Sequence, residues 1–556
     1  MRWFGGCAPG DHLPLPCDAD LIWDSPPVWT MGGWPGQTLR VVTDAEARLA
    51  VFGACSADQS SLLRAARSRD LPAACSDWAG SFVVARLPGN GTLDLVTDPV
   101  GACPLYLAQT PSGIVWGSSS LALSSLTGCR IDREWLSSYL ADKDSMPRDR
   151  SAWADVAPVP PGHQITLAAG RIAATRGWWS PTRRQYDDAV TLVRRSLLGG
   201  VKARMNAPKV SVDLAGMDST TIAAIAARYG RVLAMTVHPE GRDEGGDLDY
   251  ARAFTDTNVT QALLPMPTDQ LPFGRSADRL PPSDEPAPSS ASWAFFSAQL
   301  RMAEAAGSTC HLTGDGGDNL FLPPPSHLTL LAHRGRIVRL WRDAHGWARL
   351  RSVSPWGVVA AAVRGDAQQL TQPWNARPSW VRNATATRHR AEADPDALLI
   401  HGVRSVARAA HADRQLADRL GVDLHNPYFD GTVLDAVTSA PPWMRYSTRR
   451  YKPMLADATG DLLPQQHRRR STKGTFAGDF HRGLRLNLRR VLDLTSGHLA
   501  DLGLIEPSLL GSAIRRAALG VDAMWATLMP TLDAAMWLEA IQRRPGISWT
   551  TTLGLK

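Results

Sequence analysis

The sequence predicts an α/β protein of two parts: a strand-rich α+β first part, and a longer second part built on a parallel sheet with added helices. Three observations carry this. Residues 1 to about 180 hold many short apolar runs separated by Gly, Pro and Asp turns. From Tyr186 the apolar period lengthens to that of a helix, after which strand-like and helix-like segments alternate. Two glycine/aspartate loops, Leu214-Ala215-Gly216-Met217-Asp218-Ser219 and Thr313-Gly314-Asp315-Gly316-Gly317-Asp318-Asn319, each follow a short apolar run. A chain of 556 residues exceeds one ordinary core, so two domains, 1–180 and 186–556, are expected.

In the first part, strands are expected at 39–42, 48–52, 81–86, 93–96, 113–117 and 164–167. In the second, Ala189, Val190, Val193, Leu197, Leu198 and Val201 recur at helical spacing ahead of a strand at 210–214. A helix at 219–227, a strand at 231–237, a helix at 248–255, a strand at 262–264, a helix at 293–306 and a strand at 310–313 follow. Repeated strand-helix-strand units imply a parallel sheet, and ligands of such sheets bind at the C-terminal strand ends, where both glycine loops fall. The Pro-, Ser- and Asp-rich stretch 271–292 reads as a long loop, either lying over that edge or serving as a flexible connection. Beyond residue 330 the pattern is helical and rich in Arg and Ala.

The net charge is +7, yet only six of the sixty basic residues are lysine, and the arginines are spread along the chain instead of clustering with aromatics. That argues against a nucleic-acid groove. Seven cysteines without CxxC spacing indicate neither a zinc site nor a disulfide framework and fit a reducing cytoplasm. No apolar stretch has the length of a membrane span. A soluble cytoplasmic protein with no nucleic-acid or membrane partner is the expectation.

The two loops carry the chemistry. Glycines let backbone N–H groups approach phosphate oxygens, a helix N-terminus favours the anion, and paired aspartates hold the Mg2+ that accompanies ATP. Asp218 lies just beyond a strand end, and Ser219 is placed to cap the helix that follows. Asp315 and Asp318 stand three residues apart among three glycines. Close carboxylates repel and glycines weaken local structure, so a metal-phosphate site explains the pattern better than packing does.

The pattern strand-SGGxDS-helix followed by a G-[DE]-G-x-D-E-L-F loop resembles the asparagine synthetase and β-lactam synthetase family, whose C-terminal PP-loop ATP pyrophosphatase domain activates a carboxylate as an acyl-adenylate. The second loop matches well through Leu320 and Phe321. The resemblance implies that Asp218 and Asp318 ligate Mg2+. It also implies that ATP is held by Leu214, Ala215, Gly216, Met217, Asp218, Ser219, Thr313, Gly314 and Gly316, with Thr236 and Val237 near adenine or ribose. The first loop departs from the pattern. Either Leu214 replaces its Ser and Ala215 its first Gly, or the loop is one residue short with Ala215 in the Ser position; both lose a hydroxyl donor to pyrophosphate. The family's late lysine corresponds to Lys473, in Leu463-Pro464-Gln465-Gln466-His467-Arg468-Arg469-Arg470-Ser471-Thr472-Lys473. Between Val210 and Leu555 only Lys452 and Lys473 are lysines, so an Arg-for-Lys drift has passed over both. A compact ammonium at Lys473 suits charge developing at an acyl-adenylate. Lys452 matches a family position read as structural, or at most as lining the site.

Asp77-Trp78-Ala79-Gly80-Ser81-Phe82-Val83, Asp98-Pro99-Val100-Gly101-Ala102-Cys103-Pro104-Leu105-Tyr106 and Val159-Pro160-Pro161-Gly162-His163 resemble landmarks of the family's glutaminase-like, Ntn-type sandwich. Glutamine-dependent members need a cysteine at the mature N-terminus. Arg2 stands there, and only cleavage before Cys7 would expose a thiol. The first domain is therefore expected to be a scaffold lacking the nucleophile.

Without ammonia, the attacking amine belongs to the substrate. The T/S-G-D-G-G-D form, with Asp315 where β-lactam-forming relatives carry a tyrosine, looks most like lasso peptide cyclases. The resemblance implies an isopeptide macrolactam closed between a peptide's α-amine and an adenylated Asp or Glu side chain, with AMP and pyrophosphate released. The expected partners are a precursor (core) peptide, a leader peptidase and a leader-binding protein. Asp315 is read as a catalytic base or amine-orienting carboxylate, or as a residue that shapes the loop. His238 reads as a satisfied loop histidine, and Asp284-Glu285-Pro286 as a channel lining or a solvated acidic loop. Two rivals stand beside this reading: a small-molecule amide synthetase, and a non-catalytic nucleotide or peptide binder.

Overall fold

The computed structural model describes residues 1–556 except 11–12, 45, 144–145, 243, 275–278, 325, 367–368, 371–376, 383–394, 470–475, 522–523, 544–545 and 552–556. The first part is a sandwich of two six-stranded antiparallel sheets. All six expected strands are present, among them Ala47–Cys55, Gly80–Pro88 and His163–Ala168. The two sheets meet in an apolar core where Phe4 of Trp3–Cys7 stacks on Phe52 of Ala47–Cys55, ring centroids 4.1 Å apart. Several strands were not foreseen, for different reasons. In Trp3–Cys7 two glycines interrupt the apolar pattern because a Cβ on Gly5 would lie 2.6 Å from the Trp116 carbonyl. Arg171–Gly177 is exposed along its whole length, so no apolar alternation marks it.

The second part holds a five-stranded parallel sheet in the order Val259–Met266, Val232–Pro239, Val210–Asp213, Cys310–Leu312, Asp423–His425. The helix Met217–Ala227 follows the central strand and is buried on nearly every side, which is why its composition is apolar throughout. The edge strand Asp423–His425 has only three residues, too few to show a period. Helices Ser326–His333, Ile337–Arg351 and Pro355–Arg364 pack as a separate cluster after the second loop.

The core does not divide at residue 180. Trp3, Trp29, Trp135 and Trp153 of the first part share one apolar cluster with Trp293, Trp380, Trp537 and the helix Trp525–Gln542, and Trp549–Thr551 pairs with Pro14–Pro16. Many of the tryptophans thus build the seam between the parts. The described residues of 279–292 form the expected long loop, but one that is packed into the interior and not a merely flexible connection. Asp284 is 1% and Glu285 4% exposed. Asp284 accepts from Ser119 Oγ and Leu121 N, while Glu285 pairs with Arg408. Trp153 and Trp537 donate to the carbonyls of Asp284 and Ser283. The acidic side chains are neither solvated nor channel-lining, because sandwich and helices close over them.

Candidate active site

The two loops touch directly. A Cβ on Gly314 would stand 2.6 Å from Ser219 N, and one on Gly317 would lie 2.6 Å from Asp218 Oδ1. Gly316 adopts φ +93° and faces the Phe429 ring, whose Cε1 would lie 2.6 Å from an added Cβ. The glycines of the second loop therefore serve loop-against-loop packing before any ligand enters. Space beside Gly216 is open, and the first N–H groups of the helix Met217–Ala227 lie next to it.

Within the first loop the contributions are unequal. Leu214 is fully buried in the core; its N–H donates to the Met235 carbonyl and its carbonyl accepts the Thr236 hydroxyl. Leu214 and Thr236 thus satisfy each other and shape the loop from beneath, and Met217, 2% exposed, faces the core as well. Ser219 is not the N-cap, a place taken by Gly216. Its hydroxyl accepts from Ala215 N at 3.1 Å and lies 3.3 Å from the Gly216 carbonyl, closing the loop internally. Val237 and His238 are half-buried at the end of their strand, His238 Nδ1 lying 3.1 Å from the Pro239 carbonyl.

Lys452 is the feature that sequence reading undervalued. Its ammonium, wholly buried, bridges Asp218 and Asp318, with Nζ 2.6 Å from Asp318 Oδ1. Burial alone would lower its pKa, but the two carboxylates outweigh burial and hold it above the ordinary lysine value. Lys452 sits at φ +42°, a left-handed conformation that a non-glycine residue keeps only where its surroundings fix it. Asp218 and Asp318 therefore converge on the Lys452 ammonium. Their oxygens are of the hard kind that Mg2+ takes from one or two protein carboxylates, completing its shell with phosphate and water. Lys473 and residues 470–475 lie outside the described residues.

Thr313 and Asp315 form a second focus. Thr313 Oγ1 donates to Asp315 Oδ2 at 3.0 Å and accepts from Asp315 N at 3.1 Å. Asn426, which sequence reading missed, donates from Nδ2 to Thr313 Oγ1 at 2.7 Å. Asp413 lies within the electrostatic reach of Asp315; burial and that charge lift its carboxyl to about 7. The neighbours of Asn426 continue the contacts: Tyr428 donates to the Asp218 carbonyl at 3.2 Å, and Asp430 pairs with Arg204 and accepts from Ser81 of the sandwich.

At the opposite end of Asp423–His425, Arg2 pairs with Asp418 and Asp423, its backbone N–H donating to Asp418 at 2.6 Å. Cys7 is buried within a paired strand, and burial pushes its thiol well above the usual range.

A glycine loop at a helix N-terminus and two neighbouring carboxylates, set at the strand ends of a parallel sheet and joined to an antiparallel sandwich, are the parts of a nucleotide-using enzyme. Residues 192–539 match the family model described as asparagine synthase, and residues 54–179 match the glutamine amidotransferase domain. The chain belongs to the asparagine synthase family, and its activity class is that of an ATP-dependent amide-forming ligase. No curated protein matches the chain. Among solved structures it is similar to the allosteric regulatory enzyme of purine biosynthesis, at 11% identity over 47% of this chain and 74% of that one, TM-score 0.21. Another is glutamine phosphoribosylpyrophosphate amidotransferase from B. subtilis complexed with ADP and GMP, at 11% identity over 58% and 76%, TM-score 0.22.

Proposed function

We propose that the chain is a lasso peptide cyclase, forming an isopeptide macrolactam between a peptide's N-terminal amine and an Asp or Glu side chain through an acyl-adenylate. The observation that carries the reading is Asp315, whose carboxylate is held at the second loop by Thr313 and Asn426, where it can receive an amine that the substrate itself carries. Asp315 in the second loop favours a peptide over a β-lactam precursor, as the resemblance implies.

In this reading Asp218 and Asp318 hold Mg2+, which neutralises the charge of the departing pyrophosphate when bound. The N–H groups at Gly216 and the start of Met217–Ala227 bind phosphate oxygens, and Lys452 adds positive charge beside them. The substrate carboxylate attacks the α-phosphate and pyrophosphate leaves. The peptide amine then attacks the acyl carbon, Asp315 takes its proton or orients it, and AMP departs, with Lys473 as the cation for that step. A precursor peptide, a leader peptidase and a leader-binding protein are the proposed partners.

The test is to incubate the protein with ATP, Mg2+, candidate precursor peptides and the leader-processing proteins, and to weigh the product. A peptide lighter by one water, with AMP and pyrophosphate formed in equal amounts, is expected. Pyrophosphate release with a free amino acid and no change in any peptide would favour the small-molecule synthetase. ATP binding without turnover would leave the non-catalytic binder, an outcome the internally closed first loop keeps in view.

A further inference from the structure

We infer that Asn426 is a positioning residue for Asp315, fixing the carboxylate in the orientation from which it receives the attacking amine. The inference deepens the amide-forming reading above and rests on it. Asp315 is an exposed residue of a loop, a place where a carboxylate ordinarily samples several rotamers. Here Oδ2 takes two donors from different parts of the chain: Thr313 Oγ1 at 3.0 Å and Asn426 Nδ2 at 3.3 Å. Asn426 Nδ2 also donates to that same Thr313 hydroxyl at 2.7 Å, so three side chains close a ring. An apolar residue would fill the position equally well if only packing were needed, since Asn426 is 7% exposed. A buried amide that spends both protons on this pair is selected for orientation.

What makes Asn426 a fixed point is the strand before it. The His425 carbonyl accepts Thr313 N at 2.9 Å, setting the register of the two strand ends. Asp423 is held by His425 Nε2 at 3.2 Å, by Arg414 at 3.3 Å and by Arg2 of the sandwich at 3.6 Å. Arg2 of the sandwich thus helps anchor the strand that aims Asp315. In the second half-reaction the neutral substrate amine attacks the acyl carbon and gives one proton to the Asp315 carboxylate as the new C–N bond forms. The acyl C–O bond to the adenylate breaks, and AMP leaves with the electron pair. A carboxylate turned away from the amine would slow this step and leave adenylation intact.

The experiment compares wild type with N426A, T313V and the double variant, measuring ATP-Mg2+ affinity, pyrophosphate release and cyclised peptide separately. In N426A, ATP affinity and pyrophosphate release are expected within about two-fold of wild type while amide product falls about 100-fold. The ratio of amide product to pyrophosphate released should be no lower in the double variant than in N426A alone, because the two residues act on one carboxylate oxygen. Equal losses in pyrophosphate release and amide product in N426A, or additive losses in that ratio in the double variant, would overturn the inference. A crystal structure of N426A separates this inference from the functional reading. Asp315 displaced from its wild-type rotamer supports it even if no peptide is cyclised, and an unmoved Asp315 defeats it.

Discussion

Lys452 lies 234 residues from Asp218 in sequence, yet its ammonium joins the carboxylates that bracket the phosphate site. A lysine in so closed a space is not replaceable by arginine, whose planar fork needs more room and a different approach. Lys452→Met and Lys452→Arg should each reduce ATP turnover by about 100-fold or more. Asp218→Asn or Asp318→Asn should instead raise the Mg2+ concentration needed for half-maximal activity, as a magnesium titration would show. The aspartates were legible because they sit in compact motifs beside strand ends. Lys452 and Asn426 were not, since only the fold brings their partners within reach. Asp98 provides a test through pH. Burial raises its carboxyl to about 7, although the backbone N–H groups of Val100 and Gly101 oppose the rise. A folded-state pKa above the unfolded value gives stability that is full in acid and lost as pH rises through about 7. Between pH 5.5 and 7.5 the melting temperature of Asp98→Asn should therefore change less than that of wild type; parallel curves would show Asp98 ionised throughout.

At the scale of elements, the second loop works because three glycines let it nest against the first loop and Phe429. Gly317→Ala places a methyl on the Asp218 carboxylate, and Gly316→Ala adds a left-handed backbone penalty to a clash with an aromatic ring. Both should lose nucleotide binding measured calorimetrically, whereas Gly216→Ala, with open space beside it, should still fold and report only on phosphate contact. Strands with apolar alternation and the central helix of the nucleotide unit were readable from sequence to within a few residues. Short or atypical elements were not: Asp423–His425 offers three residues, and the five-residue helix Gly317–Phe321 begins inside a glycine run. The stretch 271–292 misled because its composition is that of a solvated loop, while its order comes from indole donors and an arginine contributed by distant segments.

For the molecule as a whole, the contact between sandwich and sheet domain is built like an interior. Arg204 and Asp430 are 1% and 0% exposed at their side chains, and Ser81 of the sandwich completes their network. Arg204→Met leaves a buried carboxylate without its cation and should cost about 3–5 kcal/mol, while pairing it with Asp430→Leu should recover much of the loss. Thermal unfolding of the three variants checks this. The helices expected beyond residue 330 are present, but sequence did not reveal that the last of them return to the first part and finish its core, because shared burial leaves no local periodic mark.

The stretch from His425 to Gly431 touches both phosphate loops, and its last residue has no room for a side chain against Pro99 of the sandwich. A gene shorn of the coding region for the sandwich would therefore not yield a smaller working ligase. It would yield a chain whose catalytic keystone rests on nothing. Supplied as two separate polypeptides, the halves should reassemble and recover function together, the sandwich acting as a folding template for its neighbour.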